Sequence, residues 1–325
     1  MSYISKRVAA MAMATMLPAF AGVGQAMAQE RLSIGTASTG SNPYVVGSVI
    51  AKEVSAGSGY IVGVQSTGGY NENLGLIGTG TIDVALNFLP DLVDAHLQQG
   101  KFEKAAGAEM FKNLRLLFPV YLATYHYFVR EDSGIKTFEE LKGHSFNVNV
   151  PSTATYGLNV KLIEALGYKM SDFKIMNLSG KDTYDALRNR ITEASGTSVQ
   201  IGGGPLLELS SSIPIRLLDI PDDAYARMDA SFHNTLVRTT IPANTYPGQT
   251  TENQTYSVPA VLFVNASMPE EVAYTFTKAY WDNWDKLKAD SRTLADVDPQ
   301  LAGVSRKLPF HPGAERYFRE TGLLK

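Results

Sequence analysis

The chain holds 325 residues, 44% of them hydrophobic and 19% charged, with 29 basic side chains against 32 acidic ones. This is the composition of a globular protein with one large or two medium domains; it excludes a disordered tail, a collagen-like repeat and a disulfide-stapled miniprotein. The near balance of charge argues against a non-specific nucleic-acid binder, and the absence of cysteine removes thiolate nucleophiles, cysteine-ligated metals and disulfides.

Lys6 and Arg7 precede an apolar, small-residue run over 8–23, and Ala26-Met27-Ala28 fits the A-x-A cleavage rule. Residues 1–28 therefore read as a secretory signal peptide, cut after Ala28, which makes the mature chain periplasmic. The alternative is an N-terminal membrane anchor, but the run is short for one and is broken by Pro18. Cleavage would remove two basic residues and no acid, leaving a net charge of −5.

From there strands alternate with helices. Residues 32–36 form a predicted strand ending in a Gly/Ser/Thr loop. A helix follows with Pro43 in its first turn and Val46, Val49, Ile50 and Val54 at helical spacing. Residues 60–64 are the next strand, with a second polar loop at Ser66-Thr67-Gly68-Gly69 and a helix from about Asn71. Residues 84–88 are a third strand. This order predicts a parallel sheet with helices on its faces. Residues 114–130 are apolar and aromatic, and too long for one average strand. They read equally as one strand crossing between two domains, with 258–264 as the return, or as two strands bent at Pro119.

A second α/β unit starts near 137, where Thr137 and Glu140 form a capping box for a short helix. Residues 145–150 are a strand, followed by the polar turn 151–155 and a helix closed by Gly167. A strand at 174–176, a helix at 182–191 and a strand at 215–220 come next. Ser267 with Glu270 is a second capping box, opening a long helix with Val272, Phe276, Tyr280, Trp284 and Leu287 on one face.

The sequence carries no catalytic constellation. The five histidines include no i, i+4 pair and no H-E-x-x-H, and there is neither a G-x-S-x-G elbow nor a P-loop. Ser171/Lys174 and Ser133/Lys136 match S-x-x-K without its companion motifs. His126 reads as a packed histidine, and Trp281 with Trp284 as packing residues. What recurs is a small polar loop between strand and helix, at 36–42, 66–71 and 152–155. Such loops aim backbone N–H groups and hydroxyls at the positive end of a helix, where an anion binds.

With these loops, the sequence resembles the TAXI family of periplasmic solute receptors, which serve TRAP (tripartite ATP-independent periplasmic) transporters. The resemblance rests on Ile34-Gly35-Thr36 with Gly40, Pro43-Tyr44 and Gly47, on Ser66-Thr67-Gly68-Gly69 with Asn73-Leu74 and Gly80-Thr81-Ile82-Asp83, and on Ser133-Gly134-Ile135-Lys136 with Leu141-Lys142-Gly143. It continues through Ile241-Pro242-Ala243-Asn244-Thr245-Tyr246-Pro247-Gly248-Gln249 and Leu308-Pro309-Phe310-His311-Pro312-Gly313-Ala314.

The resemblance implies an α/β, type II periplasmic-binding-protein-like fold. Two lobes, 29–122 with 260–325 and 123–259, are joined by crossing hinge strands with the ligand cleft between them. It implies a non-enzyme without cofactor or metal, a monomer that takes a small organic anion such as glutamate, 2-oxoglutarate or a related dicarboxylate or amino acid and delivers it to a TRAP permease. An exported hydrolase or a ligand-sensing module on the same scaffold is the alternative. Carried over by position, the expected ligand-binding residues are Ser38, Thr39 and Tyr44; Thr67, Gly68 and Asn71; Asn87; Ser152, Thr153, Thr155 and Tyr156; and Ser198, with Arg130, Lys181 or Arg216 as possible charged partners. The second-lobe loop departs from the family pattern, reading Pro151-Ser152-Thr153-Ala154-Thr155 without glycine.

Overall fold

A computed structural model describes residues 30–105, 107–151, 153–295, 297 and 308–324. The predicted signal peptide and Ser152 lie outside the described residues. Ten strands form one continuous sheet whose main path runs β2 (Ile61–Gln65), β1 (Arg31–Gly35), β3 (Val84–Phe88), β10 (Asn253–Asn265), β4 (Leu114–Arg130), β7 (Ala194–Ser198), β5 (Ser145–Asn147) and β6 (Lys174–Met176). Two short strands sit off that path, β8 (Ile215–Leu217) on β4 and β9 (Val237–Ile241) on β10.

The long apolar run is a single strand. Its first part pairs with β10 as far as Thr124, opposite Ser257; from Tyr125 onward it pairs with β7. Register shifts flank Pro119, which faces Val261. Bulges are how a sheet interior accommodates a residue with no N–H to donate. β10 makes the opposite passage, pairing with β9 through Ser257 and with β3 from Ala260. Two strands thus run through both halves of the molecule.

Side chains divide between the two faces of the first half of the sheet, the strict alternation of a strand being interrupted at the register shifts of β4, where the adjacent Leu117 and Phe118 share a core. Leu117, Phe118, Ala260, Leu262 and Val264 face a core closed by α1 (Asn42–Ser58), α8 (Glu270–Asp282) and α10 (Pro312–Glu320). Leu116, Val261 and Phe263 face the other way, onto α2 (Tyr70–Gly78) and α3 (Leu89–Leu97). In the second half, Tyr127 and Val129 pack toward α4 (Ala154–Ala165) and α7 (Asp222–Ser231). Phe128 packs toward α5 (Lys181–Arg188) and α6 (Gly204–Ser212). A short helix, α9 (Trp284–Asp290), follows α8 and buries Leu287. Trp281 is buried in the core and Trp284 packs against it.

Two predicted helix starts differ in detail. Ser267 does not cap α8: its hydroxyl donates to Asn265 Oδ1, and the helix begins at Glu270 behind Pro269. Proline's fixed φ suits this helix start, and the acidic first turn supplies the charge complement. Glu140 N–H donates to Thr137 Oγ1, but the Glu140 carboxylate accepts from Lys136 N–H rather than from Thr137, and 137–143 forms only turns. Gly167 closes α4 at φ +82°, with Gly167 N–H on Glu164 O and Tyr168 N–H on Ile163 O.

Candidate functional site

Two adjoining cavities lie between the halves. The first, about 590 Å³, is bounded by the starts of α2 and α3 from one half, and by the start of α4 and Phe232 from the other, with Val258 of β10 at its base. The second, about 400 Å³, lies between the start of α1 and the start of α6, over Tyr121, Leu122 and Ala123 of β4. Tyr70 and Phe88 line both, their rings edge to face at 4.9 Å, so the two form one cleft. A third cavity, about 700 Å³, lies within the second half and meets the cleft at Ser198, Gly204 and Pro205.

Buried asparagines hold the cleft loops at the ends of the strands. Asn73 on α2 has no exposed surface; its Nδ2 donates to Thr36 O at 2.8 Å and Leu86 O at 3.0 Å, and its Oδ1 accepts from Thr67 Oγ1 at 2.8 Å. One side chain thus ties β1, β3 and the loop after β2. Asn159 repeats the device in the second half. Its Nδ2 donates to Val148 O at 3.1 Å and Gly196 O at 3.0 Å, and its Oδ1 accepts from Tyr127 Oη at 2.9 Å. The sequence signal was an asparagine on the apolar face of each helix, beside Leu74 and beside Leu158.

The run 241–249 acts from behind the cleft. Tyr246 is buried, and its hydroxyl accepts from Gly202 N–H at 3.1 Å and donates to His126 Nε2 at 2.9 Å. Gln249 closes the turn onto Pro242 O and Thr251 O. This fixes the loop that delivers α6 to the second cavity. Gly203, the residue before α6, has no room for a side chain: a Cβ there would come within 2.9 Å of Gln200 O.

The expected ligand-binding residues divide. Gly68, Asn71 and Thr153 line the first cavity, and Ser198 lines the second and third. Thr155 meets the buried Tyr125 hydroxyl at 3.5 Å, and Ser198 contacts the same hydroxyl, so Tyr125 gathers two of them beneath the cleft. Thr67 is committed to Thr36 O and Asn73. Asn87 is fully buried, donating to Tyr70 O and accepting from Phe88 N–H. Ser38 and Thr39 are exposed on the loop before α1, Tyr44 is half-buried on the first turn of α1, and Tyr156 packs against the second-half core; none of the four lines the described cavities.

Of the three charged candidates, Arg130 pairs with Asp132 and donates to Leu187 O, and Arg216 pairs with Glu131. Lys181 lines the third cavity, paired with Asp185 at 3.0 Å. The cations of the cleft itself are ones the sequence did not single out. Lys101 pairs with Asp91 at 2.9 Å, and Lys161 pairs with Glu164 at 2.8 Å.

Helix N-termini converge on the cleft from α1, α2, α3, α4 and α6. Three of these, α1, α4 and α6, carry no acid in their first turn. Every other α-helix among the described residues does: Glu72, Asp91, Asp182, Asp222, Glu270, Asp285 and Glu315 each serve one. Glu72 folds back onto Gly68 N–H and occupies the start of α2 itself. Elsewhere the positive end of the helix dipole is answered by an acid of the chain, whereas at three places facing the cleft no acid answers it, Ser41 and Thr153 capping α1 and α4 through neutral hydroxyls.

Among the described residues no group of three or more His, Asp or Glu is placed to hold a metal ion, and no helix is long and apolar enough to cross a membrane. His126 has no exposed surface, and burial pushes its pKa down to about 4. Its Nδ1 donates to Thr124 O at 3.2 Å and its Nε2 accepts from Tyr246, so it is a packed, neutral histidine.

The chain belongs to the NMT1-like family, whose signature matches residues 34–322. Among solved structures it is similar to XAC2383 from Xanthomonas citri bound to ATP: 13% identity, TM-score 0.53, covering 90% of this chain and 99% of that one. It is also similar to ytmK from Bacillus subtilis, described as a probable amino-acid ABC transporter extracellular-binding protein: 14% identity, TM-score 0.50, covering 82% and 99%. At these identities the likeness is one of fold. The architecture is that of type II periplasmic-binding proteins, two α/β halves sharing a curled sheet.

Proposed function

We propose that this NMT1-like protein is a periplasmic solute receptor, exported by residues 1–28, that captures a small organic carboxylate and delivers it to a membrane permease. Residues 29–122 with 260–325 form one lobe and 123–259 the other, and they turn about β4 and β10. The observation that carries the reading is the charge pattern of the helices: α1, α4 and α6 face the cleft without an acid in their first turn. A carboxylate brought by the ligand supplies the missing complement, held by backbone N–H groups and the Ser198 hydroxyl, while the Thr153 hydroxyl caps α4 and is engaged with Val150 O and Tyr156 N–H. Asp91 and Lys101, the titratable pair of the first half's wall, neutralise each other, and no chemical step is assigned to them.

The test is a thermal-shift screen of mature protein, unfolded and refolded to strip bound solute. The panel holds glutamate, glutamine, 2-oxoglutarate, C4 and C5 dicarboxylates, aliphatic and aromatic monocarboxylates, and neutral sugars. A ligand at 100 times its dissociation constant adds ~2.7 kcal/mol. A shift confined to carboxylates, with the ligand recovered unchanged, supports the receptor. Consumption of a ligand to product favours an exported hydrolase, and silence across the carboxylates removes the anion receptor.

The permease is TRAP-type in this reading, on the resemblance of the 34–47, 66–83 and 241–249 runs to TAXI receptors. The fold is shared with a protein described as an ABC-transporter binder, so the partner needs its own test. Uptake into permease-loaded vesicles driven by an ion gradient without ATP supports the TRAP assignment; strict ATP dependence rejects it.

A further inference from the structure

The first cavity has the walls of a site for something other than a compact dianion. Four apolar side chains from four elements converge there: Phe88 at the end of β3, Leu158 on α4, Phe232 after α7 and Val258 on β10. Phe88 packs against the cores of both halves, so its ring spans the boundary between them. The charged groups lining the cavity are Asp91, Lys101 and Lys161. Lys101 is paired with Asp91 at 2.9 Å on one wall, while Lys161, from the opposite half, is paired with Glu164 at 2.8 Å, a residue outside the lining; among the lining groups the cations exceed the acids by one. A second carboxylate on the ligand would meet no second excess cation, only the Asp91–Lys101 pair, neutral groups such as Asn71 and Gly68, and the apolar wall.

We infer that the receptor selects a monocarboxylate with an apolar, ring-sized body, its carboxylate on the Lys161 side and its body against Phe88, Phe232, Leu158 and Val258. The inference rests on the receptor reading and narrows its substrate class. Lys161 gives the charge complement. The four apolar groups give a surface that a compact dicarboxylate would leave wet, and that an aryl or branched alkyl group would cover. Lys161 is half exposed and already paired with Glu164 at 2.8 Å, so it selects for an anion without adding much affinity, and discrimination falls to the apolar wall.

The probes are 3-phenylpropanoate against glutarate and 2-oxoglutarate, titrated calorimetrically into the ligand-stripped mature protein. Phenylpropanoate is expected to bind at least about tenfold more tightly than either dicarboxylate, within the range an apolar group in a fitted pocket supplies. Phe232→Ala should cost phenylpropanoate about tenfold and leave glutarate within about twofold, with Phe232→Leu intermediate as a milder change to the packing. Lys161→Gln should weaken all carboxylates alike. Tighter binding of glutarate or 2-oxoglutarate, or an equal loss for both classes in Phe232→Ala, overturns this inference and leaves the receptor standing. Binding of no carboxylate at all overturns the receptor reading along with it.

Discussion

His126 and Asn73 illustrate how single side chains bear on this molecule. His126 is buried and neutral, its pKa pushed down to about 4 by desolvation, against about 6.5 in an unfolded chain. Between those values the unfolded state binds the extra proton. Stability is therefore fully present above pH 6.5, falls as the pH drops toward 4, and the loss approaches about 3 kcal/mol. A pH series of Tm for the native chain and for His126→Gln should diverge over that window, with the variant the flatter of the two; parallel curves would remove His126 as the source. Asn73→Ala removes the amide that ties Thr36 O, Leu86 O and the Thr67 hydroxyl together, leaving Thr67 with its bond to Thr36 O, and should cost about 2–4 kcal/mol in denaturant unfolding. A cost below about 1 kcal/mol would mean that water replaces the amide.

At the scale of elements, the open N-terminus of α4 separates stability from function. Ala154 is exposed at the first position of α4 and lines the first cavity. Ala154→Glu places an acid where the helix dipole favours one, so it should raise stability by about 0.3–1 kcal/mol. The same carboxylate would repel an anionic ligand, so binding should fall by more than about tenfold. Raised Tm with lost affinity supports the anion assignment; raised Tm with unchanged affinity moves the ligand away from α4. Unlike α4, β4 gains from what it tolerates: Pro119 sits inside a paired strand because register shifts on either side absorb its missing N–H.

Across the whole molecule, the halves are linked by β4 and β10 and, away from the strands, by His233 Nε2 on Asp94 Oδ1 at 2.8 Å. This bond joins the loop after α7 to α3, on opposite sides of the first cavity. A partly exposed pair adds little to folding, so Asp94→Asn should change stability by less than about 1 kcal/mol. Its effect should fall on the angle between the lobes. In small-angle scattering, ligand should compact the native protein, and ligand-free Asp94→Asn should be more open than ligand-free native chain. Superimposable profiles would make the bridge a passive contact.

Much of this was legible in the sequence because local rules decided it. Hydrophobic periodicity specified α1, α4 and the first part of the last long helix, which the spacing carries through Leu287 but which breaks at Asn283 into α8 and α9. Gly167 ended α4 through a backbone conformation that glycine adopts freely, and apolar runs marked β1, β3 and the long β4. Of the polar loops after strands, 66–71 and 152–155 place Gly68, Asn71 and Thr153 on the first cavity, and Ser198, expected from the resemblance, lines the second. Periodicity passed over β7, whose Ala-Ser-Gly-Thr-Ser has no apolar alternation and is a strand only because β4 and β5 pair on either side of it. It also left open whether 114–130 was one strand or two, which depends on the partner β10. Lys101, Lys161 and Phe232 came to the cleft by folding alone, since they are far apart in the chain and meet across two halves. Thr67 and Asn87 look like ligand hydroxyls and amides in a sequence, yet tertiary contacts turn them inward. A polar side chain at the end of a strand can serve a ligand or a buried carbonyl, and only the packing around it decides which.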